Sequence, residues 1–294
     1  MDYAKQLRDF PRKHDFILCF DSDGCVFDTM ELKHKECFCP AFIKHMRLQA
    51  ASKYAREIWD FVNLYGKTRG CNRFWAVKHA LDWARKRSEI AARGVEFPDL
   101  SSLESWLAGE TKLGGPALET RIRETGDRSL QVFLDWSNEV NARIADMVYG
   151  IAPFPRVKDV LIRAADKADL MVVSQTPLEA LEREWAEHGM DGDIGLIAGQ
   201  EHGTKSEHIA LATADKGYAP AHVLMVGDAP GDLAAAQANY ALFFPILPGR
   251  EEASWREFAA TGLDRFFAGT FAGGYQEKLI QAFDAALPET PDWD

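Results

Sequence analysis

An unbroken apolar run, Phe16-Ile17-Leu18-Cys19-Phe20, is stopped by Asp21-Ser22-Asp23-Gly24. A strand with one wet face alternates apolar and polar residues, so a continuous run of this length predicts a strand buried on both faces, the kind that builds parallel α/β sheets. Three similar runs follow far downstream, Leu170 to Val173, Val223 to Val226 and Ala241 to Phe244, with Ile194 to Ala198 a weaker fifth. Helical patterns over Leu178 to His188 and Ser206 to Asp215 separate them. Strand alternating with helix predicts right-handed βαβ units and a doubly wound parallel sheet.

From Glu31 to about Tyr149 the period changes. Apolar residues recur at helical spacing, as in Ala55, Ile58, Trp59 and Val62, and later in Phe133, Trp136, Val140, Ile144 and Met147. This segment reads as an all-helical insertion, left at Thr29 to Glu31 and closed by Gly150, Pro153 and Pro155. The expected organisation is an α/β core of residues 1–29 and 151–294 with a helical cap of residues 30–150 carried on two short linkers. The tryptophans fall mostly on helical apolar stripes and are expected in the core.

Composition narrows this further. In 294 residues, 47% apolar content suffices for a full hydrophobic core without staples. The five cysteines (Cys19, Cys25, Cys37, Cys39, Cys71) are odd in number and confined to the first quarter, which favours reduced thiols over a disulfide framework. Cys37 and Cys39 lie on different faces of a helix, so with His34 they read as cap packing, not as a metal site. No signal-peptide core or run of ~20 apolar residues is present, and a cytoplasmic protein without a membrane partner is expected. With 34 Lys plus Arg against 45 Asp plus Glu, the net charge of −11 argues against a nucleic-acid partner. The oligomeric state is left open.

In an open α/β sheet, ligands bind beyond the carboxyl ends of the strands. The residues that follow the apolar runs are Asp21 and Asp23, then Ser174, then Gly227-Asp228-Ala229-Pro230-Gly231-Asp232. Four carboxylates gathered at one sheet edge call for a hard cation with oxygen ligands, and Mg²⁺ suits a site with few carboxylates. Lys205, after the weaker strand and at a helix start, is the best-placed lysine to meet an anionic substrate there. A calcium loop at Asp21 is excluded because the glycine comes too early and position twelve would be Leu32. Gly66-Lys67-Thr68 imitates the end of a nucleotide-binding loop, but Phe61 stands where its first glycine is needed.

These motifs, in this order, resemble the haloacid dehalogenase-like (HAD) superfamily, and within it the phosphatases with a helical C1 cap inserted after the first strand. The likeness rests on Phe20 to Asp28, Ser174, Lys205 and Gly227 to Asp232, and it spans roughly residues 14–29 and 151–250. It implies a Mg²⁺-dependent phosphatase acting on a small phosphorylated metabolite, with Asp21 as the nucleophile that forms an aspartyl-phosphate and Asp23 as the general acid and base. The metal would be held by the Asp21 carboxylate, the Asp23 backbone carbonyl and Asp228, with Asp232 in support. Ser174 and Lys205 would grip the phosphoryl group. Lys67 and Arg69, on a loop between cap helices, are the expected specificity residues.

A phosphomutase acting on a sugar phosphate would use the same groups, and a non-catalytic binding protein would occupy the same core. Asp23 argues against a dehalogenase or phosphonatase, where no alkoxide leaves. The sequence departs from the family at Ser22, often apolar, at Gln175, often Asn or Gly, and at Ser206, often proline.

Overall fold

A computed structural model describes residues 2–293. The five strands are β1 (Phe16–Phe20), β2 (Ala168–Val173), β3 (Leu196–Ala198), β4 (Val223–Gly227) and β5 (Leu242–Pro245). All pair in parallel, in the order β3-β2-β1-β4-β5. The order reverses about β1, which lies between β2 and β4 with Phe20 opposite both Val172 and Val226. Such a reversal opens a crevice at the carboxyl ends of the flanking strands.

The continuous apolar runs are explained by two cores, one on each face of the sheet. Leu18, Phe20, Leu170, Val172, Leu224, Val226 and Phe244 point to one face, where they meet the helices Val157–Ala165 and Leu178–Glu187 and the aromatic side chains Trp255, Phe258 and Phe266. Their neighbours Ile17, Cys19, Met171, Val173, Met225 and Phe243 point to the other, against Leu7, Ile209, Ala235 and Phe283. Successive side chains on a strand alternate faces, so a sheet covered on both sides needs an apolar residue at nearly every position.

β2 starts two residues before its apolar run. β2 begins at Ala168 and includes the buried Asp169, whose carboxylate accepts from the backbone N–H groups of Lys13 (3.1 Å) and His14 (3.2 Å) and from the Tyr218 hydroxyl (2.5 Å). A buried carboxylate is tolerated where donors surround it, and this one ties the segment entering β1 to the start of β2. At the weakest strand, β3 is three residues long; Ile194 lies before it, and Gly195 contributes only its backbone N–H, which donates to the Leu170 carbonyl at 2.9 Å.

By contact, Met1–Thr29 and Tyr149–Pro288 form one unit, and Met30–Val148 with Glu289–Asp294 forms a second. Among its described residues the second unit is helical, with its longest helices at Arg73–Lys86 and Gln131–Met147. Its centre is aromatic: Trp59 and Trp136 are fully buried with ring centroids 5.9 Å apart, flanked by Phe42 and Phe74. Such edge-to-face pairs add roughly 1 kcal/mol each to their area burial. The stripe on Gln131–Met147 is buried only as far as Val140, and Met147 is exposed.

The last residues, assigned to the core from sequence, group with the helical unit because the Trp293 ring packs on Phe61 (5.5 Å) and against the Arg87 guanidinium (4.6 Å). Among the described residues the cysteines are free thiols, and no helix is long and apolar enough to cross a membrane.

Candidate active site

Asp21 continues β1 by one residue: its backbone N–H donates to the carbonyl of Val226 at 2.9 Å, which leaves the side chain, 5% exposed, at the carboxyl edge between β1 and β4. The chain then turns back on itself. The Ser22 carbonyl accepts from Val26 N–H (2.9 Å) and Phe27 N–H (3.0 Å), and the Gly24 N–H reaches the Phe27 carbonyl at 2.9 Å. Gly24 has φ +76°, a conformation strained for any residue with a Cβ, so the glycine of this motif serves the turn. Ser22 is polar for a local reason: its buried hydroxyl accepts from the Trp185 indole N–H at 3.1 Å and donates to Glu184 at 3.2 Å.

β4 delivers the second group. Asp228 follows Gly227 directly, and Asp232 sits in the first turn of the helix Pro230–Ala238. One oxygen of the fully buried Asp232 accepts from the backbone N–H groups of Asp228 (3.1 Å) and Ala229 (3.0 Å), capping that helix. Gly227 is demanded by this arrangement, because a Cβ there would lie 2.4 Å from the Asp232 side chain.

Lys205 is the first residue of the helix Lys205–Thr213, whose start is set by a reciprocal cap between Thr204 and Glu207 (2.7 and 3.2 Å). Its ammonium reaches Asp21 at 2.8 Å and the second oxygen of Asp232 at 2.6 Å. Ser206, at the position where the resembling family often has proline, accepts through both its carbonyl and its hydroxyl from Asn239 at 3.1 Å, tying this helix to the one that carries Asp232.

Carboxylate oxygens of Asp21, Asp228 and Asp232 thus come within 4.8 Å of one another. Burial pushes the Asp21 carboxyl well above its ordinary range, and Asp232 and Asp228 add to this while Lys205 opposes it. Burial alone would lower the Lys205 ammonium, but Asp21 and Asp232 raise it above its ordinary value. Lys205 therefore stays charged, yet its one charge is shared between two of three carboxylates. The donor set, all oxygen with residual negative charge, fits a hard divalent cation.

Asp23 lies apart from that cluster. Its carboxylate accepts from two hydroxyls, Thr29 on one oxygen and Thr176 on the other at 2.7 Å. Ser174, buried at the end of β2, donates its N–H to the Ala198 carbonyl (3.0 Å), and its hydroxyl accepts from Thr176 N–H at 3.3 Å. Gln175 is exposed and donates to the Gly203 carbonyl at 2.9 Å, bridging the loop after β2 to the loop before Lys205.

Thr176, and Thr29 as anything beyond the start of the helical insertion, were not among the expected site residues. Each lies within a few residues of a motif, but a threonine at a strand or helix end is too common to stand out. Lys67 and Arg69 belong to the helical unit. There the buried Arg69 donates to the Leu64 carbonyl at 2.8 Å and Thr68 to the Val62 carbonyl at 2.6 Å, closing the carbonyl end of the π-helical turn Phe61–Tyr65.

Residues 108–244 match the family model for haloacid dehalogenase-like hydrolases, a span that contains Ser174, Lys205, Asp228 and Asp232 and begins after Asp21 and Asp23. No curated protein sequence matches the chain. Solved structures similar to it include a haloacid dehalogenase-like family hydrolase from Streptococcus pneumoniae (13% identity, TM-score 0.47, 85% of this chain and 98% of that one). A predicted phosphoglycolate phosphatase from Haemophilus somnus is similar at 14% identity and TM-score 0.47, over 80% of this chain and 86% of that one. A predicted phosphatase from Clostridium acetobutylicum is similar at 13% identity and TM-score 0.45, over 85% of this chain and 99% of that one.

Proposed function

We propose that this chain, whose residues 108–244 match the haloacid dehalogenase-like hydrolase model, is a hydrolase of that family and a Mg²⁺-dependent phosphatase of small phosphorylated metabolites that works through an aspartyl-phosphate on Asp21. The observation that carries this reading is the Lys205 ammonium bonded to both Asp21 and Asp232, with Asp228 beside them. A carboxylate buried among other carboxylates is a poor place for charge, and it becomes useful when cations draw the substrate's phosphoryl group onto it.

Asp21 attacks phosphorus through a carboxylate oxygen. The bond from phosphorus to the ester oxygen breaks, and that oxygen takes a proton from Asp23. Asp23 then removes a proton from the water that cleaves the acyl phosphate, which regenerates the Asp21 carboxylate and releases inorganic phosphate. Lys205 and the Ser174 hydroxyl orient and neutralise the phosphoryl oxygens, the main task in phosphoryl transfer. Asp21, Asp228 and Asp232, with the Asp23 backbone carbonyl, would hold Mg²⁺, which supplies charge neutralisation at the phosphoryl group. We assign choice of leaving group to the helical segment 30–150, with Lys67 and Arg69 as the specificity residues.

The test is release of inorganic phosphate from a panel of phosphomonoesters, with and without Mg²⁺, by the wild type and Asp21→Asn. Metal-dependent turnover lost on that substitution supports the reading. Turnover that survives it, or that ignores Mg²⁺, overturns it.

A further inference from the structure

The geometry points to Thr176 as a positioning residue that couples the grip on the phosphoryl group to the orientation of the general acid and base. This rests on the role given to Asp23 above and adds to it a residue outside the four motifs.

Thr176 touches both partners. Its backbone N–H donates to the Ser174 hydroxyl at 3.3 Å, and its own hydroxyl donates to Asp23 at 2.7 Å. Its carbonyl accepts from Gln200 N–H at 3.0 Å, and the peptide lies so close to Gly199 that a Cβ there would meet the Thr176 carbonyl at 2.8 Å. The backbone of Thr176 is thus held on both sides, and its hydroxyl is presented to Asp23 from a fixed point. Held by hydroxyls on both oxygens, the carboxylate plane is fixed before substrate arrives, which is where positioning contributes most to rate.

Thr176→Val keeps the shape of the side chain and removes the hydroxyl, and Thr176→Ser keeps the hydroxyl. Both are measured with saturating Mg²⁺ on an alkyl phosphomonoester, whose leaving oxygen needs a proton, and on p-nitrophenyl phosphate, whose leaving oxygen needs little help. Thr176→Val is expected to lower kcat on the alkyl ester about 10- to 100-fold with KM within about threefold of wild type, and to change p-nitrophenyl phosphate turnover less than about threefold. Thr176→Ser restores kcat to within about threefold. Equal losses on the two substrates, wild-type activity in Thr176→Val, or failure of Thr176→Ser to rescue would each overturn the positioning role. Asp23→Asn separates this from its premise. If that variant discriminates between the two esters while Thr176→Val does not, Thr176 has no part in it. If Asp23→Asn itself shows no discrimination, the acid role of Asp23 falls, and the role of Thr176 with it.

Discussion

Replacing Gly227 by alanine adds a single methyl group, and the structure shows where it would go. The new Cβ would lie 2.4 Å from both Cβ and Cγ of Asp232 and 2.5 Å from its Oδ2, whereas carbon atoms in contact sit about 3.5–4.0 Å apart. Asp232 must therefore retreat by roughly 1 Å, and at that displacement its bonds to Asp228 N–H and Ala229 N–H, now 3.1 and 3.0 Å, and to Lys205, now 2.6 Å, are strained or lost. Hydrogen bonds to a charged group contribute about 1.5–3 kcal/mol each, so losing two of them, after partial relaxation, costs about 3–4 kcal/mol. That is a large part of the stability of an ordinary domain. Urea unfolding should show a lower midpoint with unchanged m, and a misplacement of this size should lower kcat/KM about 100-fold. Gly231→Ala is the internal control: a Cβ there meets nothing within 4 Å, and alanine in a helix should be neutral or stabilising by up to about 1 kcal/mol. Unfolding of Gly227→Ala within about 0.5 kcal/mol of wild type, or equal losses in the two variants, would exclude the clash with Asp232 as the cause.

Three further outcomes are expected. Lys205→Met leaves Asp21 and Asp232 buried without their shared cation and should cost about 3 kcal/mol in urea unfolding without metal, part of which Asp21→Asn in the same chain restores; no recovery in the double variant would count against the shared charge. Asp21 is raised in the folded state, so the native protein binds its proton more tightly than the unfolded chain, and metal-free stability should fall as pH rises above the unfolded value of about 3.9. Thermal melts in EDTA should accordingly show Asp21→Asn at least as stable as wild type at pH 7, and Mg²⁺ should raise the Tm of the wild type only. In the helical unit burial works to raise Glu139, but hydrogen bonds from Lys44, Arg143 and His45 hold it down at about 2. Its contribution is therefore present above about pH 4.5 and lost as pH falls toward 2; with Lys44 62% exposed, screening limits it to about 1 kcal/mol. The gap between wild type and Glu139→Gln in urea should narrow as pH falls from 5 to 3 and close toward pH 2, and a gap constant between pH 5 and pH 3 would exclude the charged contribution.

Local order carried the parts of this protein that were legible in advance. β1 could be read because a strand covered on both faces must be apolar throughout, and Asp21 could be placed because the residue that ends such a strand stands at the sheet's carboxyl edge. The same rule found Ser174 and Asp228, and helical periodicity found the Trp59 and Trp136 stripes. Other features rest on groups far apart in the chain. That β1 lies between β2 and β4, that Asp169 is an acceptable strand residue because Lys13, His14 and Tyr218 donate to it, and that Trp293 packs on Phe61 and Arg87 are all facts of long-range pairing. So are the Lys205 ammonium shared between Asp21 and Asp232 and the Thr176 hydroxyl on Asp23. Apolar periodicity is a property of neighbours along the chain and can be read from them. A hydrogen bond or a buried charge depends on which atoms folding brings within about 3 Å, and only the tertiary structure decides that.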